Sequence, residues 1–315
     1  MEKLRVGVVG VGHLGEHHAR IYHELENIEL CGVVDINEDR AKEIALIYKC
    51  AYFKNYFDLY NKVDAVSIVV PTTLHYQVAE DFLRKGKDVL IEKPITSDLS
   101  QADKLVDIQE SKKLIIQIGH LERFNAAVVA LNSLIDSPRF IESNRIGHFV
   151  GRATDVDVIL DLMIHDIDII LSIVKSPVKD IKAIGIPIIS SHIDIANCRL
   201  EFENGCTANV TSSRVSLKKE RKIRIFQKDS YLSLDYAKPE LRRSRLIRDN
   251  RSRFIDFPFK VTNEKIKIDK VEPLKAELEA FVKTVRCREK PLVSAMEGRD
   301  ALSVALKIKE KITLG

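Results

Sequence analysis

Residues 4–15 read LRVGVVGVGHLG, and this stretch decides the fold of the first part of the chain. The apolar run Leu4–Val9 predicts a buried β-strand, and the amphipathic segment after the run predicts a helix. Between them Gly10, Gly12 and Gly15 form a G-x-G-x-x-G turn. In this context the first glycine permits a tight turn, the second lets the backbone approach a pyrophosphate, and the third lets helix and strand pack closely. The pattern predicts a dinucleotide-binding turn; the alternative is a glycine turn that binds nothing.

An acidic residue follows at the spacing that such a turn requires. Asp35 lies 20 residues after Gly15, at the end of the second predicted strand, where a carboxylate binds the ribose hydroxyls. A carboxylate at this point repels a 2′-phosphate, so the sequence favours NAD over NADP. Alternatively, Arg40 stacks on the adenine or reaches a phosphate. The predicted cofactor-binding residues also include His13 and Leu14, which open the helix.

Strand and helix signals alternate through the first third of the chain. Alternation of this kind predicts an α/β Rossmann domain, with a parallel sheet covered by helices on both faces. We place this domain at residues 1–122.

After about His120 the pattern changes to short strands separated by turns. Residues 123–315 are predicted to form an α+β domain for substrate binding and oligomerisation, with a mostly antiparallel open sheet. Asn204-Gly205 is a strong hairpin signal, and residues 228–230 mark a second hairpin. Further predicted elements are helices over Asn125–Asp136, Val156–Val174, Pro273–Cys287 and Met296–Thr313, and a last strand over Arg253–Phe259. The two final helices are expected to pack back against the first domain.

Composition excludes several classes of protein. Fifty Lys and Arg residues nearly balance 46 Asp and Glu residues, which argues against a dedicated nucleic-acid binder. The five cysteines are scattered and form no C-x-x-C pair, so neither a disulfide framework nor a zinc site is indicated. We expect a cytoplasmic protein with reduced thiols, no signal peptide, no membrane span and no metal. An open sheet in the second domain favours a homodimer or homotetramer.

Two short motifs carry candidate catalytic groups. Glu92-Lys93-Pro94 follows a predicted parallel strand, and ligands of open α/β sheets bind outside the carboxyl ends of the strands. On a helix, Asp161 and His165 stand at positions i and i+4 and project from one face, so the carboxylate can orient the imidazole as a general base. The alternatives are a surface lysine, a structural histidine, and a metal site for which no further ligand motif is present. For the neighbouring Asp166 and Asp168, the alternatives are a helix surface and a structural ion pair.

Together the glycine turn, E-K-P and D-x-x-x-H-x-x-D resemble the Gfo/Idh/MocA family of oxidoreductases over essentially the whole chain. The resemblance implies that Lys93 and His165 handle the proton while hydride moves to the nicotinamide, and that Asp161 contacts the substrate. It implies oxidation of a secondary hydroxyl of a sugar or cyclitol. Met163 stands where the family usually has glycine, close to the substrate.

The same resemblance implies further binding residues. The loop at residues 70–75 would lie along the nicotinamide ribose through Pro71, Thr72 and His75. Glu92 and Lys93 of the E-K-P motif are also predicted to contact the cofactor. Arg123, at the entry to the second domain, would lie near the cofactor or the substrate.

For the substrate, residues 151–168 resemble the branch of nucleotide-sugar 3-dehydrogenases, which oxidise the 3-hydroxyl of UDP-N-acetylglucosamine or related sugars. A run of arginines in the second domain could bind phosphate: Arg242, Arg243, Arg245, Arg248, Arg251 and Arg253. A solvated or subunit-contact face explains this run better, because strand alternation would scatter it over both faces. A different small-molecule substrate, such as a cyclitol, and a non-catalytic NAD-sensing regulator remain the alternatives.

Overall fold

A computed structural model describes residues 2–149, 156–248 and 259–312 of the chain. Its strands are β1 (Leu4–Val9), β2 (Ile28–Val34), β3 (Ala51–Phe53), β4 (Ala65–Ile68), β5 (Asp88–Glu92), β6 (Ile116–Gly119), β7 (Pro138–Ile146), β8 (Val178–Ile186), β9 (Ile195–Phe202), β10 (Thr207–Ser213), β11 (Glu220–Gln227), β12 (Ser230–Asp235), β13 (Glu240–Arg248) and β14 (Phe259–Ile266). Its α-helices are α1 (His13–Glu24), α2 (Glu38–Tyr48), α3 (Thr72–Arg84), α4 (Leu99–Lys112), α5 (Ala126–Asn132), α6 (Ile164–Val174), α7 (Pro273–Cys287) and α8 (Ala295–Lys311).

The first of two compact units comprises Met1–Phe124 and Glu272–Leu302. Its six strands are all parallel, in the order β3-β2-β1-β4-β5-β6. This is the strand order of the dinucleotide-binding doubly wound fold, and the predicted fold class is confirmed. The strands read as apolar runs because helices cover both faces of the sheet. Helix α7, from far along the chain, contributes Leu278 and Phe281 to the same hydrophobic core.

The second unit comprises Asn125–Val271 and Ser303–Gly315. Its eight-stranded sheet has the order β14-β13-β12-β11-β7-β10-β9-β8 and is antiparallel except for the pair β7 and β10. The hairpin predicted at Asn204-Gly205 joins β9 to β10, and the one at residues 228–230 joins β11 to β12. One face of the sheet carries an alternating buried set that includes Ile141, Val210 and Ile225.

Several predicted elements differ from those in the structure. The helix expected over Val156–Val174 is a π-helical segment, Ile159–Met163, followed by α6. The helix expected over Asn125–Asp136 is shorter, because α5 ends at Asn132. Strands β3 and β13 were not predicted, since β3 has only three residues and β13 is so rich in arginine that no apolar alternation is visible. The strand expected over Arg253–Phe259 lies almost entirely outside the described residues.

No helix among the described residues is long and apolar enough to cross a membrane. Across residues 2–149, 156–248 and 259–312, no group of three or more His, Cys, Asp or Glu side chains is placed to hold a metal ion.

Candidate active site

The glycine turn between β1 and α1 has the geometry that its sequence requires. Gly10 has a φ of +87°, and a Cβ there would lie 2.4 Å from the carbonyl oxygen of Val69. A Cβ on Gly15 would lie 1.8 Å from the carbonyl oxygen of Gly10, so only glycine lets the helix pack this closely on the strand. A Cβ on Gly12, in contrast, would meet no heavy atom within 4 Å. The second glycine therefore borders open space where a ligand could approach the backbone.

The first turn of α1 faces this open space. Gly12 is the N-cap residue of the helix and supplies no side chain to cap the free backbone N–H groups. These groups, together with the positive end of the helix dipole, suit a phosphate. His13 and Leu14 form the exposed start of the helix. The turn thus fits the pyrophosphate of a dinucleotide.

Asp35 follows the last residue of β2, and its carboxylate is oriented by the backbone. It accepts hydrogen bonds from the amides of Val11 and Asn37, both at 2.9 Å. Arg40 donates from Nε to the carbonyl oxygen of Val11 at 2.9 Å, and its guanidinium pairs with Glu16 and Glu43. Arg40 therefore braces the glycine turn, and two carboxylates already engage its charge.

The loop after β4 leads directly into α3. Pro71 is the N-cap residue and Thr72 begins the helix, while His75 is buried one turn later. The His75 ring lies between two carbonyl oxygens, with Nδ1 at 2.8 Å from that of Pro94 and Nε2 at 2.9 Å from that of Val70. Burial lowers the pKa of His75, and the neutral ring donates to one of these oxygens. His75 thus links two loops at the carboxyl end of the sheet.

The E-K-P motif stands where β5 ends. Lys93 is half-buried, and its amide donates to the Glu92 carboxylate at 3.3 Å. Glu92 Oε1 lies 3.2 Å from Nε2 of His18, a fully buried residue of α1. A Cβ on Gly119 would lie 2.9 Å from the same carboxylate, so this glycine makes room for it. Glu92 is a predicted cofactor contact. In the structure its carboxylate lies beside His18 and Gly119 of the first unit.

A second buried carboxyl was not predicted. Glu277 of α7 is fully buried, and neither of its carboxyl oxygens has a hydrogen-bond partner among the described residues. Burial, with a smaller effect of the charge on Glu92, raises the pKa of Glu277 well above its usual range. Gln117 Nε2 donates to the backbone carbonyl of Glu277 at 3.1 Å. A signal existed in the sequence, because Glu277 occupies a position of the apolar stripe that includes Leu274, Leu278 and Phe281.

Arg123 lies in the 3₁₀ turn Leu121–Phe124 and is buried within the first unit. Its amide donates to the carbonyl of His120 at 2.9 Å, and its guanidinium approaches the carbonyl of Leu292 at 3.5 Å.

The predicted Asp161 and His165 both belong to the second unit but do not share one regular α-helix. Asp161 lies in the π-helical segment, in which the amide of Ile164 donates to the carbonyl of Ile159. His165 is half-buried in the first turn of α6. The expected regular helix is therefore corrected at Asp161, where the backbone is π-helical. Single-turn π segments are frequent at functional sites.

Residues flanking these two groups face the interior of the second unit. Met163 is fully buried, with Sδ at 3.8 Å from Sγ of Cys198, so it packs beneath the site and does not line the cavity described below. Asp166 forms a buried ion pair with Arg145 at 2.8 Å. The structural alternative considered for Asp166 is therefore confirmed.

A cavity of about 240 Å³ opens beside Asp161 within the second unit. It is lined by Arg145, Ile146, Gly147, His148, Phe149, Asp161, Leu162, Ser213, Arg214, Lys219 and Arg221. None of its basic residues was predicted as a ligand-binding residue from the sequence.

Among the described residues, the arginines that the sequence suggested for phosphate binding do not line this cavity. Arg242 opposes Ser233 while Arg243 opposes Leu232, so these two arginines lie on opposite faces of the sheet. Arg251 and Arg253 lie outside the described residues, as does the side chain of Arg248.

Comparison with known proteins agrees with this arrangement. Residues 4–120 match the oxidoreductase family with an NAD-binding Rossmann fold, and residues 127–232 match the C-terminal domain of Gfo/Idh/MocA proteins. The chain belongs to the Gfo/Idh/MocA family. This Gfo/Idh/MocA protein is 35% identical over 310 residues to the UDP-N-acetylglucosamine 3-dehydrogenase of Acidithiobacillus ferrooxidans, covering 98% of this chain and 97% of the relative.

Solved structures extend the comparison. A structure of the Acidithiobacillus ferrooxidans enzyme superposes with a TM-score of 0.91, covering 99% of this chain and 98% of the other. In sequence alone, the chain is also 25% identical to myo-inositol 2-dehydrogenase of Thermotoga maritima, covering 98% of this chain and 96% of the relative. Apo scyllo-inositol dehydrogenase of Lactobacillus casei, at 20% identity and a TM-score of 0.81, shares the fold. The chain is therefore an NAD(P)-dependent dehydrogenase that acts on CH–OH groups.

Proposed function

We propose that this enzyme oxidises the 3-hydroxyl of UDP-N-acetylglucosamine or a closely related nucleotide sugar, with NAD⁺ as hydride acceptor. The observation that carries the proposal is the 35% identity to a UDP-N-acetylglucosamine 3-dehydrogenase over 98% of this chain. The inositol dehydrogenase relatives support a cyclitol as the second candidate substrate.

The preference for NAD⁺ rests on the end of β2. Gly10, Gly12 and Gly15 would hold the pyrophosphate, and the Asp35 carboxylate would accept hydrogen bonds from the ribose hydroxyls. The same carboxylate would repel a 2′-phosphate. Arg40 offers little compensation, because Glu16 and Glu43 already pair with it.

Three side chains would handle the proton and the substrate. His165 is proposed to remove the hydroxyl proton, Asp161 to contact the sugar, and Lys93 to assist the proton transfer. When bound, the nicotinamide supplies the hydride acceptor. A positioned general base contributes about 10²–10⁴-fold to such a rate.

The deciding experiment follows reduced nicotinamide by absorbance with NAD⁺ or NADP⁺ and a panel of UDP-N-acetylglucosamine, N-acetylglucosamine, myo-inositol and scyllo-inositol. We expect turnover with NAD⁺ and the nucleotide sugar. The His165→Ala variant should lose about 10²–10⁴-fold in kcat while still binding NAD⁺. His23→Ala, at an exposed histidine of α1, serves as the matched control and should turn over normally. Turnover by His165→Ala at the wild-type rate would refute the assigned base, and turnover of inositols alone would refute the substrate.

We further propose that the chain assembles as a homodimer or homotetramer through the sheet of the second unit. Light scattering on the purified protein measures this directly, and a monomer would refute it.

A further inference from the structure

The cavity beside Asp161 is built from cationic side chains that differ in how their charge is used. Arg145, Arg214, Lys219 and Arg221 all line it, whereas Asp161 is its one carboxylate among the described residues. Such a surplus of positive charge in a concave site favours the binding of an anionic ligand.

Two of the four cations serve the structure of the second unit. Arg145 pairs with Asp166 at 2.8 Å, both side chains being buried, and its guanidinium stacks on the ring of Tyr236 at 5.3 Å. Arg214 pairs with the buried Asp194 at 2.8 Å. Since an arginine held in a buried pair has most of its charge matched, these two residues shape the cavity more than they attract a ligand.

Lys219 and Arg221 are different. Neither forms an ion pair with any other described residue, and both lie at the start of β11 or just before it. Arg221 stands directly opposite Arg145 in the antiparallel register of β11 and β7, so the two side chains lie on the same face of the sheet. Because Asp166 already matches the charge of Arg145, Arg221 carries the unmatched charge of this cross-strand pair, and a bound anion could match it.

The backbone around these two cations is held in place. The amide of Gly147 donates to the carbonyl of Ser213, and the amide of Ser216 donates to the carbonyl of Gly147, both at 2.9 Å. The amide of Tyr236 donates to the carbonyl of Arg221, also at 2.9 Å. The connection between β10 and β11 is thereby tied to the segment after β7, so the cavity wall is preformed.

One aromatic side chain completes the set. Phe149 lines the same cavity and is 40% exposed, which leaves part of its ring available to a planar group. A carboxylate for sugar hydroxyls, two cations for phosphates and an aromatic ring for a base are the three chemistries that a nucleoside diphosphate sugar presents.

We infer that Lys219 and Arg221 bind the diphosphate of the nucleotide sugar, in the cavity whose carboxylate is Asp161. The inference rests on the proposed function and assigns its substrate class to particular residues. It explains how this chain would select a nucleotide sugar over a free sugar, because only the former carries the charge that the two cations match.

The test measures the affinity of the wild-type enzyme and of Lys219→Met and Arg221→Met for UDP and for uridine by calorimetry. Each substitution should weaken UDP binding about 10- to 100-fold, since a hydrogen bond to a charged group contributes about that factor, and should leave uridine binding unchanged. In turnover, KM for UDP-N-acetylglucosamine should rise while kcat stays within about twofold.

Two matched controls separate the site from general surface charge. Lys218→Met removes the neighbouring exposed lysine, which does not line the cavity. Arg224→Met removes an arginine of the same strand that pairs with Glu142 across the register. Neither should alter UDP affinity. Arg221→Met removes a partly exposed side chain that forms no ion pair with another described residue, so its melting temperature should stay close to that of the wild type, and a loss of affinity would not reflect unfolding.

The outcomes distinguish this inference from the proposed function. Wild-type affinity for UDP in both variants, or no UDP binding by the wild-type enzyme, would overturn the diphosphate site. If the wild-type enzyme binds UDP and the two variants do not, the site stands, even should UDP-N-acetylglucosamine fail as a substrate and the proposed function fall.

Discussion

At the scale of single residues, the first unit places acidic and imidazole groups where apolar side chains would be expected. His18 lies in the stripe of α1 that also contains Gly15, Ala19 and Tyr22, and Glu277 lies in the apolar stripe of α7. A buried carboxyl without a hydrogen-bond partner costs stability, and proteins retain such groups mostly near functional sites. Here Glu277 is close enough to Glu92, the last residue of β5, for the charge on Glu92 to raise its pKa further.

Glu277→Gln tests this burial through the pH dependence of stability. Because the folded pKa of Glu277 is raised above the unfolded value near 4.5, the folded protein holds a proton that the unfolded chain releases. Stability of the wild-type protein should therefore fall as pH rises above that value, by at most about 1.4 kcal/mol per pH unit, until the folded pKa is passed. Glutamine does not titrate, so the melting temperature of the variant should gain on the wild type between pH 5 and pH 8. A difference that stays constant over this range would contradict the assignment.

At the scale of elements, the connection between β8 and β9 depends on one carboxylate. Asp194 Oδ2 accepts hydrogen bonds from the amides of Ile188, Ile189 and Ser190 at 2.7, 2.6 and 2.9 Å. Its other oxygen accepts from Arg214 at 2.8 Å. Burial alone would raise the pKa of Asp194, but the amides of the loop outweigh it and hold the pKa well below its usual range.

Asp194→Asn should therefore destabilise the protein by about 3–5 kcal/mol, since it leaves the buried charge of Arg214 without its partner. Urea unfolding at pH 7 measures the loss, and Asp269→Asn, at an exposed aspartate, should change stability by less than about 0.5 kcal/mol. The contribution of Asp194 is fully present above the unfolded pKa near 3.8 and is lost as pH falls toward the lowered folded value. The gap between wild type and variant should accordingly narrow on acidification; equal stabilities at pH 7 would show that the pair is dispensable.

At the scale of the whole molecule, the chain returns to its first unit after building the second. Residues Glu272–Leu302 belong with Met1–Phe124, although almost 150 residues separate the two segments in sequence. Phe281 of α7 is fully buried and shares one hydrophobic core with Val6, Val8 and Tyr22. The first unit is thus complete only when both segments are present.

Phe281→Ala should cost about 3–5 kcal/mol of unfolding free energy, as expected for removing a large core side chain. Phe57→Ala removes a ring that is 54% exposed and should cost much less. Chemical denaturation followed by circular dichroism compares the two. If Phe281→Ala lost as little unfolding free energy as Phe57→Ala, α7 would not contribute to the core of the first unit.

The sequence by itself determined the features that depend on neighbouring residues. Short apolar runs and amphipathic stretches predicted the alternating strands and helices of the first unit, and the glycine spacing predicted a turn whose φ of +87° only glycine adopts readily. Turn chemistry predicted two of the hairpins in the second unit, β9–β10 and β11–β12. These signals depend on residues close together in the chain, so they can be recognised from the sequence alone.

Only the tertiary structure decided which distant residues meet. Register places Arg221 opposite Arg145, although about 75 residues separate them, and the arginines of β13 lie on alternating faces of the sheet. The π-helical segment turns Asp161 toward the cavity and Met163 toward Cys198. The proximity of Glu277 to Glu92 likewise requires two segments that join only in the folded chain. Strand register and helix docking are set by the packing of whole surfaces, so no local pattern could specify them.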